Sequence, residues 1–307
     1  MPCFNAEAFI EEAVRSALGQ SYRNIELIVV DDGSTDRSSE ILSRLAEEFG
    51  GRLTVLSQGN RGPYPARNFG LSRARGDCIA FLDADDYWDP DFLVKLNRAV
   101  VENGADVAYC GWQNVGDASI DGKPYVPPAY ELDDPVRDFL CACPWPIHAA
   151  LVRKEIVQAL SGFSERRFSA MDYDFWVRLL TVTRSIVRVP EVLAFYRWHG
   201  RGQISAVKWK QTIDAWNVRR DFVRKHRHLV GHLDRKTVNE LVNGSLLTKA
   251  YTAYWRRELT TSFRLFRYVF VFGSWRPKDL KYILPALFPQ RLYRLLVNAV
   301  DMRRGLP

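Results

Sequence analysis

The stretch IELIVVDDGSTD, residues 25–36, decides the fold. Residues 25–30 form an apolar run broken only by Glu26, and the run ends on two carboxylates, Asp31 and Asp32, followed by Gly33. A short apolar run bounded by polar residues predicts a buried strand. In open parallel sheets ligands bind beyond the carboxyl ends of the strands, so acids at such an end face a ligand. An acid there can accept a hydrogen bond from a nucleobase or a ribose. Asp, Ser and Thr also make an ordinary capped turn before a helix starting near Ser38, and this segment alone leaves both readings open.

Working outward, helical and strand patterns alternate. Ala6, Phe9, Ile10, Ala13, Val14, Ala17 and Leu18 share one helical face, with Asn5 as the expected N-cap. Ile41, Leu42, Leu45, Ala46 and Phe49 predict a second helix stopped by Gly50 and Gly51. Strands are expected over 53–56, 78–82 and 107–112, and helices over 66–75 and 90–101, the latter with Asp89 as N-cap and Pro90 at its first position. Residues 116–146 are rich in Gly, Pro and Asp and read as loops. Strands over 149–152 and 185–189 and a helix over 173–180 follow. The alternation predicts an α/β fold with a mostly parallel sheet and helices on both faces. Beyond about Ala206 the pattern changes to long basic, aromatic-rich helices, which places a boundary near Ser205 and divides the chain into 1–205 and 206–307.

The bulk composition fits a folded protein: 307 residues, 47% hydrophobic and 26% charged. Five irregularly spaced cysteines do not form a disulfide framework and suit a reducing compartment. Residues 4–10 are interrupted by Asn5 and Glu7 and do not read as a secretory signal. No stretch approaches the roughly 20 apolar residues of a membrane span. Charge is unevenly distributed. From Arg197 onward there are 23 Lys+Arg against 7 Asp+Glu, and before it 20 against 29. A basic half prefers an anionic surface.

FLDADD, residues 81–86, repeats the strand-end chemistry. Asp83, Asp85 and Asp86 repel one another unless a cation sits among them. Mg²⁺ or Mn²⁺ chooses oxygen ligands and bridges one or two carboxylates to substrate phosphates. Arg61 and Arg67 lie between the two acidic clusters. An Arg beside a pyrophosphate makes bidentate charge-assisted bonds, although each alone also reads as a surface residue.

PCFNAE, IELIVVDDGSTD, NRGPYPARNFGLSRARGDCIAFLDADD and GFSERRFSAMDYDFW together resemble the family 2 glycosyltransferases of the GT-A fold, over about two thirds of the chain. The resemblance implies a nucleotide-diphospho-sugar donor, most commonly a UDP-sugar, and inversion at the anomeric carbon. It implies that Pro2, Phe4, Glu7 and Asp32 line the nucleoside pocket, that Asp83 meets the ribose, that Asp85 binds the metal and that Asp172 is the general base. In YRWH, His199 matches a position that could complete the metal site and Arg197 one that could bind diphosphate. Chemistry agrees independently: a departing nucleoside diphosphate needs its charge neutralised, and an acceptor hydroxyl needs a base within hydrogen-bond reach.

Three departures stand out. The family that this chain resembles often has Glu at the position of Met171. The QxxRW signature of processive synthases is absent, which suits transfer of one or a few sugars. Relatives also carry an apolar strand immediately before PCFN. The natural polypeptide is therefore expected to begin upstream with about five to eight further residues rich in Val and Ile, a strand length.

In the tail, Phe263, Phe266, Tyr268, Phe270, Phe272, Trp275, Tyr282, Ile283, Leu284, Leu287 and Phe288 interleave with Arg and Lys. Such a segment lies at an anionic membrane surface, or it packs as a helical subdomain; the sequence leaves both open. No nucleic-acid recognition motif is present. The reading is an inverting, metal-dependent glycosyltransferase acting on a glycan or lipid-linked acceptor in cell-surface glycan synthesis, cytoplasmic and able to sit peripherally on the inner face of the membrane. The alternative is a non-catalytic nucleotide- or sugar-binding protein of the same fold. The lack of GxGxxG after any strand excludes a dinucleotide-dependent dehydrogenase.

Overall fold

The computed structural model describes residues 1–116, 122–165, 169–199, 207–272 and 275–303. In chain order the first elements are β1 (Pro2–Cys3), α1 (Ile10–Leu18), β2 (Leu27–Asp31), α2 (Ser38–Phe49), β3 (Leu53–Ser57), α3 (Pro63–Leu71), β4 (Cys78–Ala80), β5 (Tyr87–Trp88) and α4 (Phe92–Glu102). They are followed by β6 (Val107–Gly116), α5 (Pro135–Cys141), β7 (Ala150–Arg153), α6 (Lys154–Ala159), α7 (Met171–Leu179) and β8 (Ile186–Trp198).

β1, β2 and β3 form a parallel sheet in which Pro2 pairs with Val30 and Leu27 with Leu53. The other strands form a second sheet in the order β4-β7-β6-β8-β5. In it β6 and β8 run parallel, while the β4–β7, β6–β7 and β5–β8 pairs are antiparallel. The expectation of a mostly parallel sheet thus holds for the first half. In the second sheet three of the four described pairs are antiparallel, so the expectation fails there; β6 and β7 are separated in sequence by the short helix α5 and pair antiparallel.

Several element boundaries move for local reasons. Asn5 does not cap a helix: its φ is 49°, and its side chain instead accepts the Thr35 backbone N–H at 2.8 Å. α1 accordingly starts only at Ile10, with Ile10, Ala13, Val14, Ala17 and Leu18 buried. Asp89 likewise makes a turn before α4 and does not cap it, its Oδ1 accepting from Asp91 N at 2.9 Å. β8 extends well past Val189. Pro190 lies at an irregularity where Cys110 pairs with Val189 but Gly111 with Val192, so the proline is held in a bulge, where its missing N–H removes no ladder bond. A Cβ on Gly111 would lie 2.6 Å from the Tyr125 carbonyl oxygen, so only glycine admits that close approach.

Leu27 and Ile28 of β2 and Cys78, Ile79 and Ala80 of β4 line a common cavity of about 600 Å³, together with Met1. Asp83, Asp85 and Asp172 are not among its lining residues. The Met1 nitrogen donates to the Ile28 carbonyl at 2.8 Å.

The chain divides into two compact units, Met1–Gln203 and Ile204–Pro307; Ser205 itself lies outside the described residues. The second unit contains α8 (Lys208–Lys225), α9 (Arg235–Asn239), α10 (Ser245–Trp255), α11 (Leu259–Phe272), α12 (Leu280–Ile283) and α13 (Gln290–Arg303). Its core gathers Trp216, Leu246, Ala250, Phe263, Leu265, Phe266, Ile283 and Tyr293. Phe263, Phe266 and Ile283 are core, and Tyr268, Trp275 and Tyr282 pack against it, whereas Leu284, Leu287 and Phe288 are exposed. Among the described residues no helix is long and apolar enough to cross a membrane.

Candidate active site

The site is built from strand ends and from α7. After β1 the chain turns through Phe4, Asn5 and Glu7, and after β2 through Gly33, Ser34 and Asp36. The two turns are tied together by hydrogen bonds. Ala6 N donates to Ser38 Oγ at 2.9 Å, Glu7 N to Asp36 Oδ2 at 3.0 Å, and Arg37 N to Glu7 Oε2 at 3.1 Å. Gly33, at φ 77°, lets the second turn pass close to the 58–60 loop: a Cβ there would lie 3.0 Å from Asn60 N.

The expected nucleoside residues fall into three groups. Phe4 is exposed and available to stack on a ligand. Pro2 is buried in β1 opposite Val30 and supports the strand without offering a surface. The Glu7 and Asp32 carboxylates are engaged by the protein itself. Asp32 is buried, and its oxygens accept from Gln58 Nε2 at 2.7 Å, Arg61 N at 2.9 Å and Gly62 N at 2.7 Å. It fixes the loop that leads into α3, a role sequence reading did not foresee.

Arg67 corrects the sequence reading more strongly. It is neither a surface residue nor a side chain free for diphosphate. The guanidinium is buried, lies over the rings of Tyr64 and Phe163 at 5.1 and 5.4 Å, and pairs with both Asp83 and Asp172. Its Nη1 is 3.5 Å from Asp172 Oδ1. Asp172 reaches this position because the rest of α7 is anchored. Met171, Tyr173, Phe175 and Trp176 are buried, Phe175 stacks on Phe163 at 4.7 Å, and the Tyr173 hydroxyl donates to the Phe139 carbonyl at 2.7 Å. Residues 166–168 of the motif preceding Asp172 lie outside the described residues. Burial pushes the Asp172 carboxyl up to about 6 against the opposing pull of Arg67, with Asp83 adding repulsion. A base in that range is free near neutral pH and still basic enough to take a hydroxyl proton.

Asp85 and His199 meet on the other side of the FLDADD turn, with Nε2 of His199 3.0 Å from Oδ2 of Asp85. The His199 ring lies 4.9 Å from that of Phe9, which fixes its plane. Burial, with Asp86 and Asp83 nearby, pushes the Asp85 carboxyl up to about 6, and His199 opposes the shift. This concentration of negative charge, with Asp86 buried and Asp83 and Asp85 half-buried, is the condition a divalent cation relieves. A separation of 3.0 Å is also about that of two adjacent ligands on an octahedral cation with bonds of about 2.1 Å. Among the described residues no set of three His, Cys, Asp or Glu side chains converges on one point. The pair therefore fits a cation that takes its remaining ligands from water and substrate phosphates, the usual habit of Mg²⁺.

Arg197 differs from expectation. Its backbone N–H donates to Asp86 Oδ1 at 2.8 Å, its Nε to the Asp85 carbonyl at 2.9 Å and its Nη2 to Glu12 at 2.6 Å, so it braces the acidic turn. Asp86 and His148 were missed as a pair. Both are fully buried, with Nδ1 of His148 3.0 Å from Oδ2 of Asp86, and the His148 ring stacks on Tyr196 at 5.7 Å. Burial disfavours charge on each. Asp86, helped by Asp83 and Asp85, outweighs that effect and raises the His148 pKa, while burial keeps Asp86 raised. No local sequence signal marks the pair, because the partners come from distant segments.

Two adjacent strand ends, an acidic turn and a helix-borne carboxylate are arranged as in the GT-A class of glycosyltransferase fold. S. aureus TarS 1-349 in complex with UDP-GlcNAc superposes with a TM-score of 0.67 at 19% identity, covering 99% of this chain and 90% of that one. The chain belongs to glycosyl transferase family 2, whose profile matches residues 1–160. An uncharacterized glycosyltransferase of Haemophilus influenzae is 32% identical over 71% of this chain and 85% of its own length. The provisionally named teichuronic acid biosynthesis glycosyltransferase TuaG of Bacillus subtilis is 32% identical over 73% of this chain and 87% of its own. The Escherichia coli UDP-Glc:alpha-D-GlcNAc-diphosphoundecaprenol beta-1,3-glucosyltransferase WfaP is 28% identical over 78% and 91%.

Proposed function

We propose that the protein transfers a sugar from a nucleotide-diphospho-sugar, a UDP-sugar first among the candidates, to an acceptor hydroxyl with inversion. The observation that carries this is Asp172, held 3.5 Å from Arg67 with its pKa raised to about 6. Asp172 takes the acceptor proton as the acceptor oxygen bonds to the anomeric carbon. The bond from that carbon to the donor phosphate breaks, and its electron pair leaves with the nucleoside diphosphate. One flanking carboxylate suffices for direct displacement, whereas inverting hydrolases need a second one. A divalent cation, Mg²⁺ or Mn²⁺, held by Asp85 and His199 would neutralise charge on the departing diphosphate. Phe4 offers a stacking face for the base, Asp83 a ribose contact, and Asp32, Glu7 and Pro2 shape the pocket around them.

The likeness to TuaG and WfaP supports a role in cell-surface glycan synthesis, on a glycan or lipid-linked acceptor. The basic second unit supports a cytoplasmic protein that sits peripherally on an anionic membrane. The competing reading, a binding protein without catalysis, requires Asp172 to be idle. The test is a thermal-shift screen of nucleotide-sugars with Mn²⁺, since a ligand bound only by the folded state raises apparent stability. Product analysis with the stabilising donor follows. Cation-dependent stabilisation and product formation are expected. Stabilisation by no nucleotide-sugar, or donor binding without turnover for any acceptor, would overturn the proposal.

A further inference from the structure

α13 carries apolar residues on two faces, and the fold uses one of them. Tyr293 and Val297 are buried in the core of the second unit. Leu292, Leu295 and Leu296 follow the i, i+3, i+4 spacing of a separate face and are 40%, 65% and 39% exposed. The turn before α13 repeats the division. Ile283 and Ala286 are buried, whereas Leu284, Leu287 and Phe288 are exposed. Six large apolar side chains in 13 residues are thus turned to solvent, far more than the scattered singles that need no explanation. The same stretch is charged with one sign. From Leu280 to Ala299 there is no acidic residue, and the three charged side chains, Lys281, Arg291 and Arg294, are all exposed.

We infer that this face, formed by Leu284, Leu287, Phe288, Leu292, Leu295 and Leu296, seats in the headgroup region of an anionic phospholipid bilayer. The inference deepens the membrane-facing part of the proposed function and assigns it to specific residues. Two properties favour lipid over a second copy of the chain. A bilayer interface accepts apolar side chains and cations together, the former entering the acyl boundary and the latter meeting lipid phosphates. A second copy using the same face would bring three cations against three of their own sign, with no acid between Leu280 and Ala299 to relieve them. The assignment also sorts the tail: Phe263 and Phe266, which sequence pattern alone includes, are core and do not reach the bilayer.

The experiment is cosedimentation of the full chain with phosphatidylcholine vesicles, with and without phosphatidylglycerol, at low and high salt. Binding to the anionic vesicles that weakens with salt is expected. Leu292→Ser/Leu295→Ser/Leu296→Ser should lower the partition about tenfold or more, because each change removes interfacial apolar area. Lys281→Gln/Arg291→Gln should remove the preference for phosphatidylglycerol. Neither set should alter donor-induced thermal stabilisation, which also reports that the variants fold. Undiminished binding by the leucine variant overturns this face while the membrane reading stands. Failure of the full chain to bind either vesicle overturns both and leaves the transferase proposal to its own test. Concentration-dependent self-association that the leucine variant abolishes would assign the face to a second copy instead.

Discussion

Nε2 of His199 lies 3.0 Å from Oδ2 of Asp85, across 114 residues of sequence. β8 makes the meeting possible. It runs through the Pro190 bulge beside β6 for its full length and pairs Phe195 with Tyr87, so that its end passes the acidic turn. Arg197 then locks the two segments by bonding to Asp85 and Asp86.

Asp85→Ala should abolish the Mn²⁺-dependent part of nucleotide-sugar stabilisation. His199→Ala should weaken it less, leaving a reduced but measurable Mn²⁺-dependent stabilisation. Titration of Mn²⁺ in the presence of donor measures both. An unchanged Mn²⁺ requirement in Asp85→Ala would show that the cation binds elsewhere.

Asp172→Asn should retain donor affinity and lower transfer by about 10²–10⁴-fold, the usual contribution of a general base. The pH profile follows from its position. The reactive form is the carboxylate, and burial raises its pKa to about 6. Turnover should therefore be level above that value and fall about tenfold per pH unit below it. The wild-type acid limb should vanish in the Asn variant. A limb that persists unchanged would belong to another group.

Much of this arrangement can be read from sequence where the chemistry is local. The apolar runs ending at Asp31 and near Asp83 announce strand ends, and the face shared by Ile10, Ala13, Val14, Ala17 and Leu18 announces α1. What escaped reading depends on distant partners. The strand expected over 185–189 stops short of β8, because nothing local reveals the bulge at Pro190 against Gly111. Arg67 carries no mark of burial, since Tyr64, Phe163, Asp83 and Asp172 converge on it from separate segments. Phe263 and Leu287 look alike in a basic tail, and only packing separates core from surface.

Arg67→Met should shift the acid limb of the transfer profile upward. The guanidinium opposes the rise in the Asp172 pKa, and Asp83 adds to it. Without the cation, the two carboxylates face each other uncompensated. A lower plateau at neutral pH, partly recovered at higher pH, is expected. A loss that is equal at every pH would mean that Arg67 acts only through folding.

His148→Ala should destabilise the protein by about 3–5 kcal/mol, because it leaves a buried carboxylate without its partner. Urea unfolding measures this. Asp86 is 1% exposed and His148 wholly buried, so solvent cannot substitute. The pair also sets a pH dependence. Both folded-state pKa values are raised, His148 by its carboxylate neighbours and Asp86 by burial. A raised pKa means that the folded state holds more protons than the unfolded chain between the two values, so stability falls as pH rises. For His148 the stabilisation is complete below its ordinary value of about 6.5 and is lost as pH climbs through the raised one. The wild type should accordingly lose urea resistance from about pH 6.5 upward, and His148→Ala should flatten that decline. A variant as stable as wild type, with the same pH dependence, would show that the charge on Asp86 is neutralised by some other group.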